Sequence, residues 1–181
     1  FEYALDDATV SVLFRSAALH DIGKVAIQDS ILLKPGRLTA EEFEIMKTHA
    51  VHGRDAIANA EAILGTPDSF LAHARNIACR HHERWDGTGY PLGLKGGRFP
   101  LSARLMAIAD VFEALTADDR PYKPGKPLSE ALAILACMVA DGHLDGELFD
   151  LFLRSGTCMA YAQRFMPAEL IDVSDVSPYL S

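Results

Sequence analysis

The sequence predicts an all-α protein. Apolar residues recur at helical spacing in successive windows of the chain, whereas the alternating pattern typical of strands is weak. Between these windows lie segments dense in Gly and Pro, which end helices and form irregular loops. With 181 residues, the chain is long enough for one domain with a substantial core.

Local signals place the individual helices. Gly23 is a natural end for the first helix. Thr39 followed by Glu42 forms a capping box at the start of the second. Residues 86–100 are so rich in Gly and Pro that they must be irregular. The helices are predicted over residues 7–22, 39–57, 67–85, 101–117, 128–140, 147–154 and 159–165.

Composition limits which classes of partner the chain is expected to bind and where in the cell it is expected to be found. The formal net charge of −8 argues against binding polymeric nucleic acid or an anionic membrane, although one small anion could be held locally or by a metal. The three cysteines lack a C-x-x-C spacing, as in proteins of a reducing compartment, so we expect a cytoplasmic location. No membrane span or signal segment is expected. Because the chain opens with Phe1, we expect it to be part of a longer protein.

Pairs of metal-ligand residues fall near the predicted helix ends. His20 and Asp21 close the first helix, where unpaired carbonyls concentrate negative potential that favours a cation. His81 and His82 lie near the end of the third helix, and His49 lies within the second. Imidazoles and carboxylates without cysteine suit iron, manganese, zinc, cobalt or nickel better than calcium.

Asp110 is a further candidate ligand. The fourth predicted helix is apolar on both of its arcs, so we expect it to be buried, and a buried carboxylate needs a partner. That partner is either a metal or a buried arginine such as Arg104. For Glu83, which follows His82, a surface charge is the alternative to a role in the site. Each histidine alone is more often structural, but the two tandem pairs together with Asp110 favour a metal site.

Two motifs resemble a known family. Residues 20–24 read HDIGK and residues 81–91 read HHERWDGTGYP. Together they resemble the HD-GYP family, within the HD superfamily of metal-dependent phosphohydrolases. Residues 31–36, His49 with Gly53, and residues 110–115 fit the same pattern. The likeness spans roughly residues 19–153.

The resemblance implies a fold, an activity and a biological setting. The fold is an HD-domain helical bundle over residues 1–166, with an irregular loop carrying the Gly-Tyr-Pro motif, followed by a C-terminal tail at 167–181. The activity is hydrolysis of cyclic di-GMP, a bacterial second messenger, to the linear dinucleotide pGpG and onward to GMP. The setting is two-component signalling, with an upstream sensory or receiver domain in the full-length protein.

The resemblance also implies a two-metal centre. Asp21 bridges two divalent transition metals, for which iron or manganese is favoured, and a third metal is expected where an upstream helix completes the site. Two cations about 3.5–4 Å apart activate water and clamp a phosphate. Lys24 has an implied catalytic role in stabilising the phosphoryl oxygens. The implied metal ligands are His20 and Asp110 on one metal, His49, His81 and His82 on the other, and Asp21 on both.

The implied substrate-binding residues include Lys24 and two further groups. Gly89, Tyr90 and Pro91 form the wall of the site, in which Pro91 favours an extended Tyr90 and Gly89 permits a turn. The others, Arg120 and Lys123, match positions that contact the guanine nucleotide. For these two, a solvated basic patch is an equally supported alternative, since the preceding segment is one residue longer than the family's usual spacing.

Other functions stay open at this point. Only six residues precede the HD helix, and they lack the family's upstream metal-ligand pattern, for which Glu2 is a poor substitute. A catalytically impaired module that binds cyclic di-GMP or a GGDEF-domain diguanylate cyclase is therefore the alternative, and other cyclic dinucleotides are alternative substrates. A homodimer is compatible with the sequence. The polar segment 172–181 is expected to be loosely held, and the apolar residues before it to cap the domain.

Overall fold

The computed structural model describes residues 5–65, 69–117 and 125–181. Every regular element in these ranges is helical, which confirms the predicted all-α class. In this part of the chain, no helix combines the length and hydropathy needed to cross a bilayer. The α-helices are α1 Asp7–Ala17, α2 Asp29–Leu32, α3 Ala40–Lys47, α4 His49–Leu64, α5 Ser69–Arg80, α6 Leu101–Thr116, α7 Leu128–Ala140, α8 Gly146–Arg154 and α9 Thr157–Phe165. Short 3₁₀ helices cover Ile22–Ala26, Gly96–Arg98, Ala168–Leu170 and Ser177–Tyr179.

The first helix is shorter than predicted. It ends at Ala17, and the chain then tightens into turns that lead to the 3₁₀ helix Ile22–Ala26. The amide of His20 bonds the carbonyl of Ala17, and the amide of Lys24 bonds that of Asp21, both three residues back. Three-residue spacing defines 3₁₀ rather than α geometry. His20 and Asp21 therefore lie in a tight connection instead of the last turn of an α-helix.

The second and third helices also differ from their predicted bounds, and the third, α5, ends at Arg80 and not at residue 85. The capping box at Thr39 and Glu42 is confirmed, with both reciprocal hydrogen bonds present. The helix that begins there stops at Lys47, because the amide and hydroxyl of Thr48 both bond the carbonyl of Ile45. A new helix, α4, then starts at His49.

The main hydrophobic core lies among α6, α7, α8 and α9. Phe112, Leu132 and Phe149 are at its centre and are almost completely buried. The C-terminal residues pack on this core through half-buried side chains such as Val176, and the amide of Ser129 donates to the Asp172 carboxylate. The expectation that 172–181 is loosely held is therefore wrong, because its apolar residues bury surface against the core.

A buried ion pair joins α6 to the start of α8. Nη1 of Arg104 lies 2.7 Å from Oδ2 of Asp145, and both side chains are buried. The other oxygen of Asp145 accepts the amides of Glu147 and Leu148, so the same carboxylate caps α8. The arginine considered as a partner for Asp110 thus has Asp145 as its ion-pair partner.

Candidate metal centre

Two glycines set the spacing between the 3₁₀ helix Ile22–Ala26 and α4. A Cβ atom added to Gly23 would lie 2.0 Å from the carbonyl oxygen of His49 and 2.4 Å from the amide nitrogen of Gly53. A Cβ on Gly53 would lie 3.3 Å from the amide of Gly23 and from Cβ of Ala78. The two backbones are therefore in direct contact, and this contact brings Asp21 beside His49.

Four side chains from three parts of the chain converge at this point. One ligand atom from each of Asp21, His49, His81 and His82 lies within 4.8 Å of the others. The rings of His81 and His82 have centroids 3.9 Å apart, and those of His49 and His82 are 5.0 Å apart. Oδ1 of Asp21 lies 3.4 Å from Nε2 of His49 and 3.8 Å from Nε2 of His81.

The second carboxylate oxygen of Asp21 faces a different set of groups. Oδ2 lies 3.3 Å from Nε2 of His20 and 2.5 Å from Nζ of Lys24. The same Nε2 of His20 lies 3.8 Å from Oδ1 of Asp110. The two oxygens of one carboxylate thus point toward two groups of candidate ligands, as a bridging residue requires.

Backbone carbonyls orient three of the histidines. Nδ1 of His20 lies 2.9 Å from the carbonyl oxygen of Ala17. In the same way, Nδ1 of His49 lies 2.7 Å from the carbonyl oxygen of Met46, and Nδ1 of His81 lies 3.0 Å from that of Ile77. Because a carbonyl only accepts, each Nδ1 is the protonated nitrogen. In the neutral ring the lone pair is then on Nε2, which faces the cluster and is available to a metal.

The residues fit a divalent cation. Among the described residues, Oδ1 of Asp21 and the Nε2 atoms of His49 and His81 are buried without a hydrogen-bond partner. An unsatisfied buried polar atom costs about 1–3 kcal/mol. Since all three atoms face one another, one cation would satisfy them together. Nitrogen and oxygen donors without thiolate suit a divalent transition metal.

The protonation states also suit metal binding. Burial lowers the pKa of His81 to about 4 and that of His82 to about 2, and neighbouring histidines add to both effects. Burial raises the pKa of Asp21, but hydrogen bonds from protonated His20 and from Lys24 outweigh it, and the net pKa of Asp21 is well below the usual range. Asp21 in turn raises the pKa of His20. At neutral pH His81 and His82 are thus neutral imidazoles and Asp21 is a carboxylate, the forms that bind metals, whereas protonated His20 must release its Nε2 proton to bind one.

The Gly-Tyr-Pro segment lies directly on the cluster. The Tyr90 ring stacks on the His82 ring, with centroids 4.9 Å apart and planes 30° apart. A Cβ on Gly89 would lie 2.3 Å from the amide nitrogen of Arg84. Gly89 is therefore required for close backbone approach, whereas the sequence suggested a role in a turn. The following peptide bond, Tyr90–Pro91, is cis.

Glu83 holds this segment in place and is a residue that sequence reasoning missed. Its side chain is buried, and its two oxygens accept the amides of Leu92 at 2.7 Å and Leu94 at 2.8 Å. The interpretation of Glu83 as a surface charge is wrong. The available signal was the irregular segment itself, because its backbone amides need acceptors that regular structure does not provide.

Replacing Glu83 with glutamine is expected to loosen the Gly-Tyr-Pro segment. The amide group would set an N–H against one of the two backbone donors, and we expect the free energy of unfolding to fall by about 2 kcal/mol. Urea denaturation measures this change, and Glu169→Gln is the control because Glu169 is exposed. Equal unfolding midpoints for the two variants would contradict the anchoring role.

The remaining predicted site residues differ in their settings. The side chain of Asp110 is 26% exposed, so the expectation that it is buried is wrong. The reason is that α6 is not covered on all sides, and the adjacent Ala109 is exposed. Lys24 is half-exposed beside Asp21. Arg120 and Lys123 lie outside the described residues.

A helical scaffold that brings His and Asp residues together in a partly buried cluster is typical of a class of metal-binding helical proteins. The family model described as an HD domain matches residues 2–148. The chain belongs to this HD domain family, and its Gly-Tyr-Pro motif and relatives place it in the HD-GYP group.

Curated relatives support this assignment. The chain is 52% identical to a cyclic di-GMP phosphodiesterase of Vibrio cholerae, covering 82% of this chain and 30% of that protein. It is 43% identical to the cyclic di-GMP phosphodiesterase response regulator RpfG of Xanthomonas campestris, covering 82% and 36%. It is 40% identical to a 3′3′-cGAMP-specific phosphodiesterase of Vibrio cholerae, covering 83% and 27%. The chain thus spans about a third of the length of these relatives.

Proposed function

We propose that this chain is a metal-dependent phosphodiesterase domain that hydrolyses cyclic di-GMP to pGpG and onward to GMP. The observation that carries the proposal is the position of Asp21, whose two oxygens face two groups of candidate ligands. The names of two relatives, both cyclic di-GMP phosphodiesterases, agree with the substrate. The assigned ligands are His20, Asp21, His49, His81, His82 and Asp110.

The chain's own residues have distinct roles in this proposal. When bound, two divalent cations, iron or manganese by preference, supply an activated water and charge neutralisation at the phosphate. Asp21 and the histidines hold the cations, with the Nδ1–carbonyl hydrogen bonds fixing the rings. Lys24 is half-exposed at the cluster and donates to a phosphoryl oxygen. Tyr90 forms the wall beside His82.

The proposal includes a signalling role in a longer protein. RpfG is named a response regulator, and this chain covers 36% of it. The domain described here would be the output half, controlled by an upstream receiver or sensory part, and contacts with diguanylate cyclases would occur through the Gly-Tyr-Pro face.

Turnover by the full-length protein tests the function. The protein is purified without oxygen, its metals are measured by elemental analysis, and it is incubated with cyclic di-GMP while products are separated by chromatography. We expect bound transition metal and release of pGpG followed by GMP. Metal-loaded protein that leaves both cyclic di-GMP and pGpG intact contradicts the proposal. Binding of the nucleotide without product instead supports the impaired binding module.

A substrate panel tests the choice of nucleotide. The likeness to a 3′3′-cGAMP-specific relative makes that nucleotide the specific competitor. We expect kcat/KM for cyclic di-GMP to exceed that for 3′3′-cGAMP in the same metal-loaded preparation. A higher kcat/KM for 3′3′-cGAMP would mean that the domain is a hydrolase whose substrate is 3′3′-cGAMP and not cyclic di-GMP.

A further inference from the structure

Next to the metal centre, α3 presents a group of side chains that the proposed chemistry does not use. On this helix Lys47 lies four residues after Phe43 and three residues after Glu44, so its side chain can reach both of them. Phe43 meets Tyr90 edge to face, with ring centroids 6.3 Å apart and planes at 85°. We call these four residues the α3 corner. Because Tyr90 also stacks on His82, the corner is continuous with the metal centre.

Lys47 is held at the middle of the α3 corner. Its Nζ atom lies 5.5 Å from the centroid of Phe43 and 5.6 Å from that of Tyr90, both within the range of cation–π attraction. The same atom lies 2.6 Å from Oε1 of Glu44. Its side chain is only 26% exposed, so the ammonium is positioned by its neighbours and does not move freely in solvent.

The aromatic part of the corner is open to a ligand. Phe43 is 46% exposed although it is a large apolar side chain. Flat nucleobases stack on such rings, and loss of one stacked aromatic commonly weakens binding about tenfold. A ring of this kind beside a phosphodiester-cleaving centre has the chemistry of a base-binding surface.

The charged part of the corner matches the edge of guanine. Guanine presents its O6 acceptor next to N1–H and N2–H donors, whereas adenine presents an N6–H donor next to an acceptor. Lys47 can only donate and the Glu44 carboxylate can only accept, and the two lie side by side. A phosphate fits this place less well, because the Glu44 carboxylate would repel it.

We propose that the α3 corner is a guanine-binding subsite, in which the base stacks on Phe43, Lys47 donates to O6 and Glu44 accepts from N1–H and N2–H. This inference rests on the proposed function, since it concerns the nucleotide of the same site. It makes Glu44 and Lys47 the residues that distinguish guanine from adenine. A site that hydrogen-bonds one base edge rejects an analogue whose donors and acceptors are reversed.

Calorimetric binding to the metal-loaded full-length protein tests the subsite. We expect the wild type to bind cyclic di-GMP at least about tenfold more tightly than cyclic di-AMP. Lys47→Gln and Glu44→Gln are each expected to weaken cyclic di-GMP binding by about tenfold or more, so that the two affinities converge. Phe43→Leu is expected to weaken binding of both nucleotides, because stacking does not depend on the base edge.

Lys34→Gln is the matched control. Lys34 also pairs with a glutamate of α3, Glu42, at 2.6 Å, and this pair is not part of the α3 corner. We expect Lys34→Gln to leave both affinities unchanged. Circular dichroism and metal content, measured on every variant, show that the fold and the centre are intact.

Each other outcome is informative. Equal weakening of both nucleotides by Lys47→Gln would assign the lysine to a phosphate and overturn the base-reading role. Unchanged binding in Lys47→Gln and Glu44→Gln would overturn the subsite while the proposed function stands. A wild-type protein that binds cyclic di-AMP but not cyclic di-GMP would overturn both.

Discussion

Replacing Asp21 with alanine is expected to remove both the bound metal and turnover. Its two oxygens are the only carboxylate atoms that the described residues place against both His49 and His20. Without them, the imidazoles would have to hold two cations with no shared anionic ligand. Because metals contribute several kcal/mol to the stabilisation of a phosphoryl transition state, we expect turnover to fall by on the order of 10³-fold or more.

The measurement combines elemental analysis with turnover of cyclic di-GMP. Asp55→Ala is the matched control, because Asp55 is an exposed aspartate on α4 that pairs only with the neighbouring Arg54 among the described residues. Urea denaturation of the metal-free proteins separates loss of the site from loss of the fold. We expect similar unfolding midpoints, because the cost of burying Oδ1 of Asp21 without a hydrogen bond from the described residues offsets the partly exposed pairing of Oδ2 with Lys24. Stoichiometric metal in Asp21→Ala would refute the bridging assignment.

Replacing Gly23 with alanine is expected to have the second largest effect, although the change adds a single methyl group. The new Cβ would lie 2.0 Å from the carbonyl oxygen of His49 and 2.4 Å from the amide nitrogen of Gly53. Both atoms belong to the backbone of α4, so no side-chain rotation relieves the clash. The 3₁₀ helix must move away from α4, at a cost of about 3 kcal/mol in unfolding free energy.

The same movement separates Asp21 from His49, so metal affinity should fall together with stability. Gly97→Ala is the control, because a Cβ at Gly97 would meet no atom within 4 Å and its φ is not in the left-handed region. Urea denaturation and metal titration of both variants make the comparison. A Gly23→Ala protein that matched Gly97→Ala in both measurements would show that the close contact between the two backbones is not needed.

The sequence predicted the helices best where one amphipathic segment packs on the core. The bounds of α7 agree with the prediction, and those of α6 and α8 differ from it by one residue. It predicted them less well around the site. There the chain forms 3₁₀ turns after Ala17 and a break at Thr48, and hydrophobic periodicity does not report such hydrogen-bond spacing.

The candidate site was predictable to the extent that its residues occur in pairs. The tandem His20-Asp21 and His81-His82 indicated a metal centre, and the structure brings both pairs together with His49. Glu83 was misjudged because its partners, the amides of Leu92 and Leu94, lie nine and eleven residues away in a segment without periodicity. Asp110 was expected to be buried and is instead partly exposed. The prediction failed because the sequence does not show how much of a helix its neighbours cover.

By itself, the sequence determined the helical class, the family and the identity of the candidate ligands, because these depend on side-chain type and local spacing. Only the tertiary structure decided which oxygen of Asp21 faces which histidine, and that Lys47 of α3 lies against Tyr90 of the irregular loop. The contact of Asp21 with His49 joins residues 28 positions apart, and that of Lys47 with Tyr90 joins residues 43 positions apart. They are set by the approach of two backbones at Gly23 and by the buried Glu83 carboxylate, and no local pattern encodes either of them.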